Sequence, residues 1–149
     1  MKNLLCLILS FLFVSVGHTQ LASPNESGVT FGHVHLNVSD IEEHKQIWVD
    51  HFNGTIVEKG SHSVIKLPNM LITLTQQKPT MDSIETAMHH FGFKVRRMDK
   101  FLDKWRADGL QVGSMFLGAE GQLNAYVTLP DGVEVEMQED RGLQEEITG

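Results

Sequence analysis

The chain repeats itself. "FGHVHLNVSD" (residues 31–40) and "AMHHFGFKV" (residues 87–95) each set a histidine pair at the head of a strand-like stretch. His33 and His90 stand 57 positions apart (90 − 33), as do Val38 and Val95 (95 − 38) and Trp48 and Trp105 (105 − 48). A histidine-headed strand and a tryptophan-bearing helix therefore recur in register. A unit of about 55 residues cannot bury its own sheet, so the two copies must pack together.

Periodicity supplies the elements. Residues 30–38 read as a strand, with His33, His35 and Asn37 on one face and Val34, Leu36 and Val38 on the other. Ser39 and Asp40 are helix N-cap candidates, and Glu42 lies at capping-box spacing from Ser39. The helix runs to Phe52 with Ile41, Lys45, Trp48 and Phe52 as its inner stripe, and Asn53-Gly54 stops it. Strands follow at 55–59, 63–67 and 70–76, with a turn at Pro68-Asn69. Residues 78–87 form a connector with room for one helical turn. The second copy starts with a strand at 89–95, with Phe91, Phe93 and Val95 opposite His90, Gly92 and Lys94. A helix at 98–107 carries Phe101, Leu102 and Trp105 and ends at Asp108-Gly109. Strands at 111–116, 123–129 and 133–138 complete it, the last two joined by the turn Pro130-Asp131-Gly132. The expected fold is α+β: two βαβββ modules, 30–77 and 88–139, pairing into a curled mixed sheet that forms a barrel or cleft.

The ends read differently. Residues 4–16 are 13 uncharged, mostly apolar positions behind a basic Met1-Lys2-Asn3 lead. That run is shorter than the roughly 20 residues a membrane span needs. It matches the apolar region of a signal peptide, with cleavage after Gly17 or as late as Gln20. The mature chain is then secreted or periplasmic, without stable membrane insertion. Residues 18–29 are a polar linker and 140–149 a polar tail. Cys6, the single cysteine, leaves with the leader, which excludes thiolate ligands, disulfides and cysteine nucleophiles. A net charge of −7 with no basic stripe argues against a nucleic-acid partner.

The polar faces carry the chemistry. Each helix covers the apolar side of its sheet and leaves the histidine side open. In the last strand Glu134, Glu136 and Gln138 share a face, opposite Val133, Val135 and Met137. Leu71, Thr73 and Thr75 share a face in the strand at 70–76. If the sheets curl, His33, His35, His90, Glu134 and Glu136 converge on one cavity. Two imidazoles and a carboxylate suit a divalent ion, Fe, Mn, Ni, Co or Zn, with open positions for substrate. His35 is a general base, a substrate contact or a hydrogen-bonded cavity histidine, and it could exchange roles with His33; imidazole suits proton abstraction near neutral pH. Glu134 either holds an imidazole in one tautomer or is an exposed carboxylate. Asn37 and Lys94 are placed at the cavity mouth. His89 is expected to point away from His90. His44, His51 and His62 are placed on exposed segments and assigned no role.

Three motifs, "GHVHLNVSDI", "HHFGFKV" and "LPDGVEVEM", make residues 30–139 resemble the vicinal oxygen chelate superfamily, which includes glyoxalase I, fosfomycin-resistance thiol transferases and extradiol dioxygenases. The resemblance implies paired βαβββ modules around one divalent metal, with His33, His90 and Glu136 as ligands. It implies a homodimer and a small substrate chelated through vicinal oxygens; His35 and Glu134, on the same polar faces as these ligands, are the catalytic candidates. Asn37, Thr73 and Lys94, on the polar faces, are the substrate-contact candidates. One departure matters: glyoxalase I carries a fourth ligand, a glutamate, where this chain has Thr73. That points away from the glyoxalase I reaction and toward dioxygenase, lyase, isomerase or group-transfer chemistry. The alternative is a small-molecule binding module of the same fold without catalysis.

Overall fold

A computed structural model of the chain describes residues 22–60 and 62–142. The expected leader, the first residues of the linker and residues 143–149 of the tail lie outside the described residues. Each module begins with an edge strand that pairs in parallel with the module's last strand. In the first, β1 (His33–Val38) leads to α1 (Ile41–Phe52), then β2 (Thr55–Lys59), β3 (His62–Leu67) and β4 (Met70–Gln76). The sheet order is β1-β4-β3-β2. In the second, β5 (Phe91–Val95) leads to α2 (Met98–Ala107), then short strands β6 (Gln111–Val112) and β7 (Phe116–Leu117), then β8 (Leu123–Leu129) and β9 (Val133–Glu139). Its order is β5-β9-β8-β6, with β7 also pairing with β8. The topology is duplicated, as the 57-residue repeat requires. The two sheets remain separate and do not close into a barrel; their arrangement fits a cleft.

Several boundaries shift for local reasons. The first strand starts at His33 rather than residue 30, because its pairing with β4 begins at His33 opposite Leu71. Asp40, not Ser39, caps α1: its Oδ1 accepts the amide protons of Glu42 at 2.9 Å and Glu43 at 3.2 Å. Ser39 is occupied elsewhere, as described below. Asn53 ends α1 in the left-handed region at φ 54°. The strand expected at 111–116 is broken in two. Gly113 donates to the Tyr126 carbonyl at 2.9 Å and lies against that residue, and residues 113–115 leave the ladder before Phe116 rejoins it.

One core serves both modules. Val38, Ile47, Trp48, Ile65 and Ile72 of the first belong to the same buried cluster as Met98, Leu102, Trp105, Val127, Val135 and Met137 of the second. Aromatic rings seal the joint: Phe52 meets Trp105 edge-on at 5.5 Å, and Trp48 lies 6.3 Å from Phe91. The buried face of α1 is therefore wider than the stripe read from the sequence and includes Ile47 and His44. His44 is fully buried, and the His51 ring packs edge-on against Trp105 at 4.4 Å. Neither is a surface residue, because the second module covers the side of α1 that a lone amphipathic helix would leave wet.

Candidate functional site

The expected alternation holds in β1 and β9. In β1, His33, His35 and Asn37 are exposed, Val34 and Val38 are buried and Leu36 is half-buried. In β9, Val133, Val135 and Met137 are buried beneath α2 while Glu134, Glu136 and Gln138 face the other way. Each of these two strands thus has one dry side and one open polar side.

On the second sheet the parallel register sets Gly92 opposite Glu136. A Cβ at Gly92 would stand 3.5 Å from the Glu136 Cβ, so the absent side chain leaves room beside the carboxylate. His90, two residues earlier, brings its Nε2 to 3.5 Å from Glu136 Oε2. Antiparallel pairing with β8 adds Asn124, Tyr126 and Thr128 opposite Gln138, Glu136 and Glu134. Asn124 Nδ2 donates to Glu136 Oε1 at 2.9 Å, and Gln138 Nε2 donates to Glu136 Oε2 at 3.2 Å. Tyr126 meets the His90 ring edge-on at 5.2 Å. Burial, reinforced by Glu136 and Glu134, pushes the Tyr126 phenol above its ordinary pKa, so it keeps its proton.

The first sheet presents a separate surface. His33 and His35, with ring centroids 6.4 Å apart, line a cavity of about 270 Å³ with Leu71 and Thr73. Thr73 is the register partner of His35. His35 Nε2 is 2.7 Å from Thr75 Oγ1, which fixes its ring. A second cavity of about 290 Å³ lies between the modules beneath the connector. His35 and Asn37 reach it from one side, His90 and Phe91 from the other.

The expected ligands therefore do not all meet within one chain. Among the described residues no group of three His, Cys, Asp or Glu side chains could hold a metal ion. His90 and Glu136 come together; His33 opens onto the other sheet. Two donors each about 2.1 Å from one ion, at near-tetrahedral angles, stand about 3.4 Å apart. The 3.5 Å between His90 Nε2 and Glu136 Oε2 fits that spacing, and the donor types suit a divalent ion. One chain thus brings together two of the three expected donors. Glu134 does not touch an imidazole here: its Oε1 accepts from Thr128 Oγ1 at 2.6 Å. Lys94 reaches Asp140 at 3.1 Å.

Asn124 and Tyr126 escaped the sequence reading. Their signal was present, since Asn124, Tyr126 and Thr128 alternate in step with the polar set of the next strand across the Pro130–Gly132 turn. Only the strand register makes them neighbours of Glu136.

Comparison with known proteins agrees with this architecture. The sequence profile of the Glyoxalase/Bleomycin resistance protein/Dioxygenase superfamily matches residues 30–137. The fosfomycin resistance protein FosX from Listeria monocytogenes superposes with a TM-score of 0.66 at 15% identity, over 75% of this chain and 93% of that one. A glyoxalase family protein from Enterococcus faecalis gives 0.61 at 20% identity, over 72% and 94%. Lactoylglutathione lyase from Agrobacterium tumefaciens gives 0.57 at 19% identity, over 78% and 98%. No curated protein matches. With the duplicated sheets, the histidine-headed edge strands and this match over nearly all the described residues, the chain belongs to the Glyoxalase/Bleomycin resistance protein/Dioxygenase superfamily.

Proposed function

We propose that the protein is an exported metal-dependent enzyme acting on a small substrate with vicinal oxygens, and that two copies of the chain build each site. His90 and Glu136 of one copy would hold a divalent metal together with His33 of the second. The observation that carries this is the half-site itself: two donors at ligand spacing, steadied by Asn124 and Gln138, on an open face that lacks a third. Export rests on the apolar leader alone.

A metal held there would supply Lewis-acid polarisation of the substrate oxygens and, if it were iron, oxygen chemistry. The rest falls to side chains. Asn124 and Gln138 hold the Glu136 carboxylate by two amide donors, so its orientation does not depend on solvent. Tyr126 offers a phenol proton beside His90 to a developing negative charge. His35, held by Thr75, is the proton acceptor on the opposing sheet, with Asn37 and Thr73 beside it for substrate. Thr73 in place of a carboxylate favours dioxygenase, isomerase or lyase chemistry over the glyoxalase I reaction. Glutathione-type thiol transfer fits poorly with export.

Metal content measured by mass spectrometry on protein loaded with Fe(II), Mn(II), Ni(II) or Zn(II) tests this. The wild type should hold about one ion per chain, and His33→Ala and His90→Ala should each lose it. Refolding the two variants together should restore about a quarter of the sites, since random pairing makes half the dimers mixed and each mixed dimer keeps one intact site. His33→Ala that keeps its metal, or a mixture that regains none, would sink the shared site. A wild type that takes up none of the four ions would sink the metalloenzyme. It would leave the second reading, a binding module without catalysis, which the absence of a three-donor group among the described residues of one chain favours.

A further inference from the structure

We propose that the face of the first sheet carrying His33 and His35 holds a binding site for a small organic anion, an oxyanion head on a short apolar body. The site lies within one chain and needs no metal, so it goes beyond the metal-dependent reading and is tested apart from it. Strand register builds it. Lys59 pairs with His62, Val57 with Val64, Val64 with Thr73 and Thr73 with His35. Directly paired residues project to the same side of a sheet, so all four strands contribute to one face. Val64 is 2% exposed, yet it is no part of the core that the two modules share. It lies instead at the floor of the cavity of about 270 Å³, with Leu71 and Thr73 beside it. His33, His35, Lys59 and His62 stand exposed around the rim.

The rim is basic and no carboxylate on that face answers it. Glu58 is the single acidic residue in β1 to β4. Alternation sends it to the opposite side from Lys59, where its Oε1 accepts from Ser63 Oγ at 3.0 Å. Glu42 lines a neighbouring cavity with His62 but is paired with Lys45 at 2.8 Å. Among the described residues the side chains of Lys59, His62 and His33 have no hydrogen bond or ion pair. In the second module the last strand carries Glu134 and Glu136 on its open side instead, so the repeat has diverged in charge where it has kept its fold. An ammonium has three donors and no acceptor, and an imidazole has at least one donor in either tautomer. An oxyanion satisfies several such donors at once, through charge-assisted bonds that are stronger than neutral ones. The valine and leucine floor takes an apolar body out of water. A cleft lined by one sign of charge also concentrates ligands of the other sign.

Hexanoate and monohexyl phosphate, each titrated while backbone ¹H–¹⁵N shifts are followed, test this. At least one should shift the amides of Lys59, His62, Val64 and Thr73 saturably, and the tighter probe identifies the head group. Hexanol, the same body without the charge, should bind roughly 3- to 10-fold more weakly, the worth of an exposed charge-assisted contact. Lys59→Gln should weaken the tighter probe by a similar factor. Lys66→Gln removes a charge from the same face but outside the cavity. At physiological salt, where exposed charges beyond about 8 Å are screened, it should change the affinity by less than about 2-fold. Probes that shift no residue of the cavity, hexanol that matches the charged probes, or a Lys66→Gln loss equal to that of Lys59→Gln would each overturn the proposal. So would probe binding that weakens as the protein is concentrated, because a second copy would then hold the face.

Discussion

Asp131 joins the two modules through a few atoms. It sits in the turn between β8 and β9 at φ 62°. Its carboxylate accepts from Ser39 N at 2.7 Å and Ser39 Oγ at 2.6 Å, in the first module. His44 Nε2 lies 3.4 Å from the same carboxylate, without hydrogen-bond alignment. Burial is the largest influence on His44 and pushes its pKa below the ordinary imidazole range; Asp131 only partly offsets this. Burial alone would raise Asp131, but its bonds from Ser39, with help from His44, outweigh it and hold the carboxyl below its usual range. The contact at neutral pH is therefore a carboxylate beside a neutral imidazole, not an ion pair. In the unfolded chain His44 titrates near ~6.5. Between its folded and unfolded values the unfolded chain binds the extra proton, so this contribution is whole above ~6.5 and is lost as pH falls below it. The unfolding free energy from urea denaturation should decline from pH 7 to pH 5.5, by at most about 1.4 kcal/mol per pH unit for this group. His44→Leu should flatten the slope without abolishing it, because His51 is shifted the same way, by burial and by Lys104. An unchanged slope in that variant would rule out His44 as a source.

Among the elements, α1 shows how a stop signal doubles as a packing device. Asn53 takes the left-handed conformation that ends the helix, and Gly54 N donates to the Trp48 carbonyl at 3.0 Å. The chain then turns so tightly against β3 that a Cβ at Gly54 would stand 2.6 Å from Ile65 Cγ2 and 2.9 Å from the Trp48 carbonyl oxygen. The backbone oxygen cannot swing aside. Gly54→Ala should therefore destabilise the fold by about 1–3 kcal/mol, as overpacking does. Equilibrium denaturation checks it; a neutral substitution would mean that α1 and β3 can separate without cost.

Over the whole molecule the two modules are one folding unit. Trp48 and Trp105, the repeat's matched tryptophans, are both fully buried in the shared cluster. Phe52 bridges them, 4.5 Å from one ring and 5.5 Å from the other. Trp105 Nε1 donates to the Gln111 carbonyl at 3.1 Å, so its removal would also free a backbone acceptor. Trp105→Ala should cost about 3–5 kcal/mol, and Trp48 fluorescence and far-ultraviolet circular dichroism should lose signal in one coincident transition. Separate transitions would mean that each module is stable alone, against the argument from size.

Much of this was legible from local pattern. The repeat, both helices, the open and buried faces of β1, β5 and β9, and the separation of His33, His90 and Glu136 onto strand starts and polar faces follow from period-two and helical alternation. Alternation depends only on backbone geometry and on whether a side chain prefers water, so a short stretch suffices to reveal it. What the pattern could not supply was relation between stretches. His44 and His51 look like surface residues until the second module packs over α1. Asn124 and Tyr126 become neighbours of Glu136 only through the register of β8 on β9. His89 and His90 share a side because a turn, not a strand, holds them. The separation of His33 from the His90–Glu136 pair is a fact of how two sheets sit against one shared core, and the burial energy that sets that arrangement is spread over many residues from both modules. The sequence by itself determined which residue types stand on which face; the tertiary structure decided which faces meet, because that choice depends on summed packing that no single stretch of chain contains.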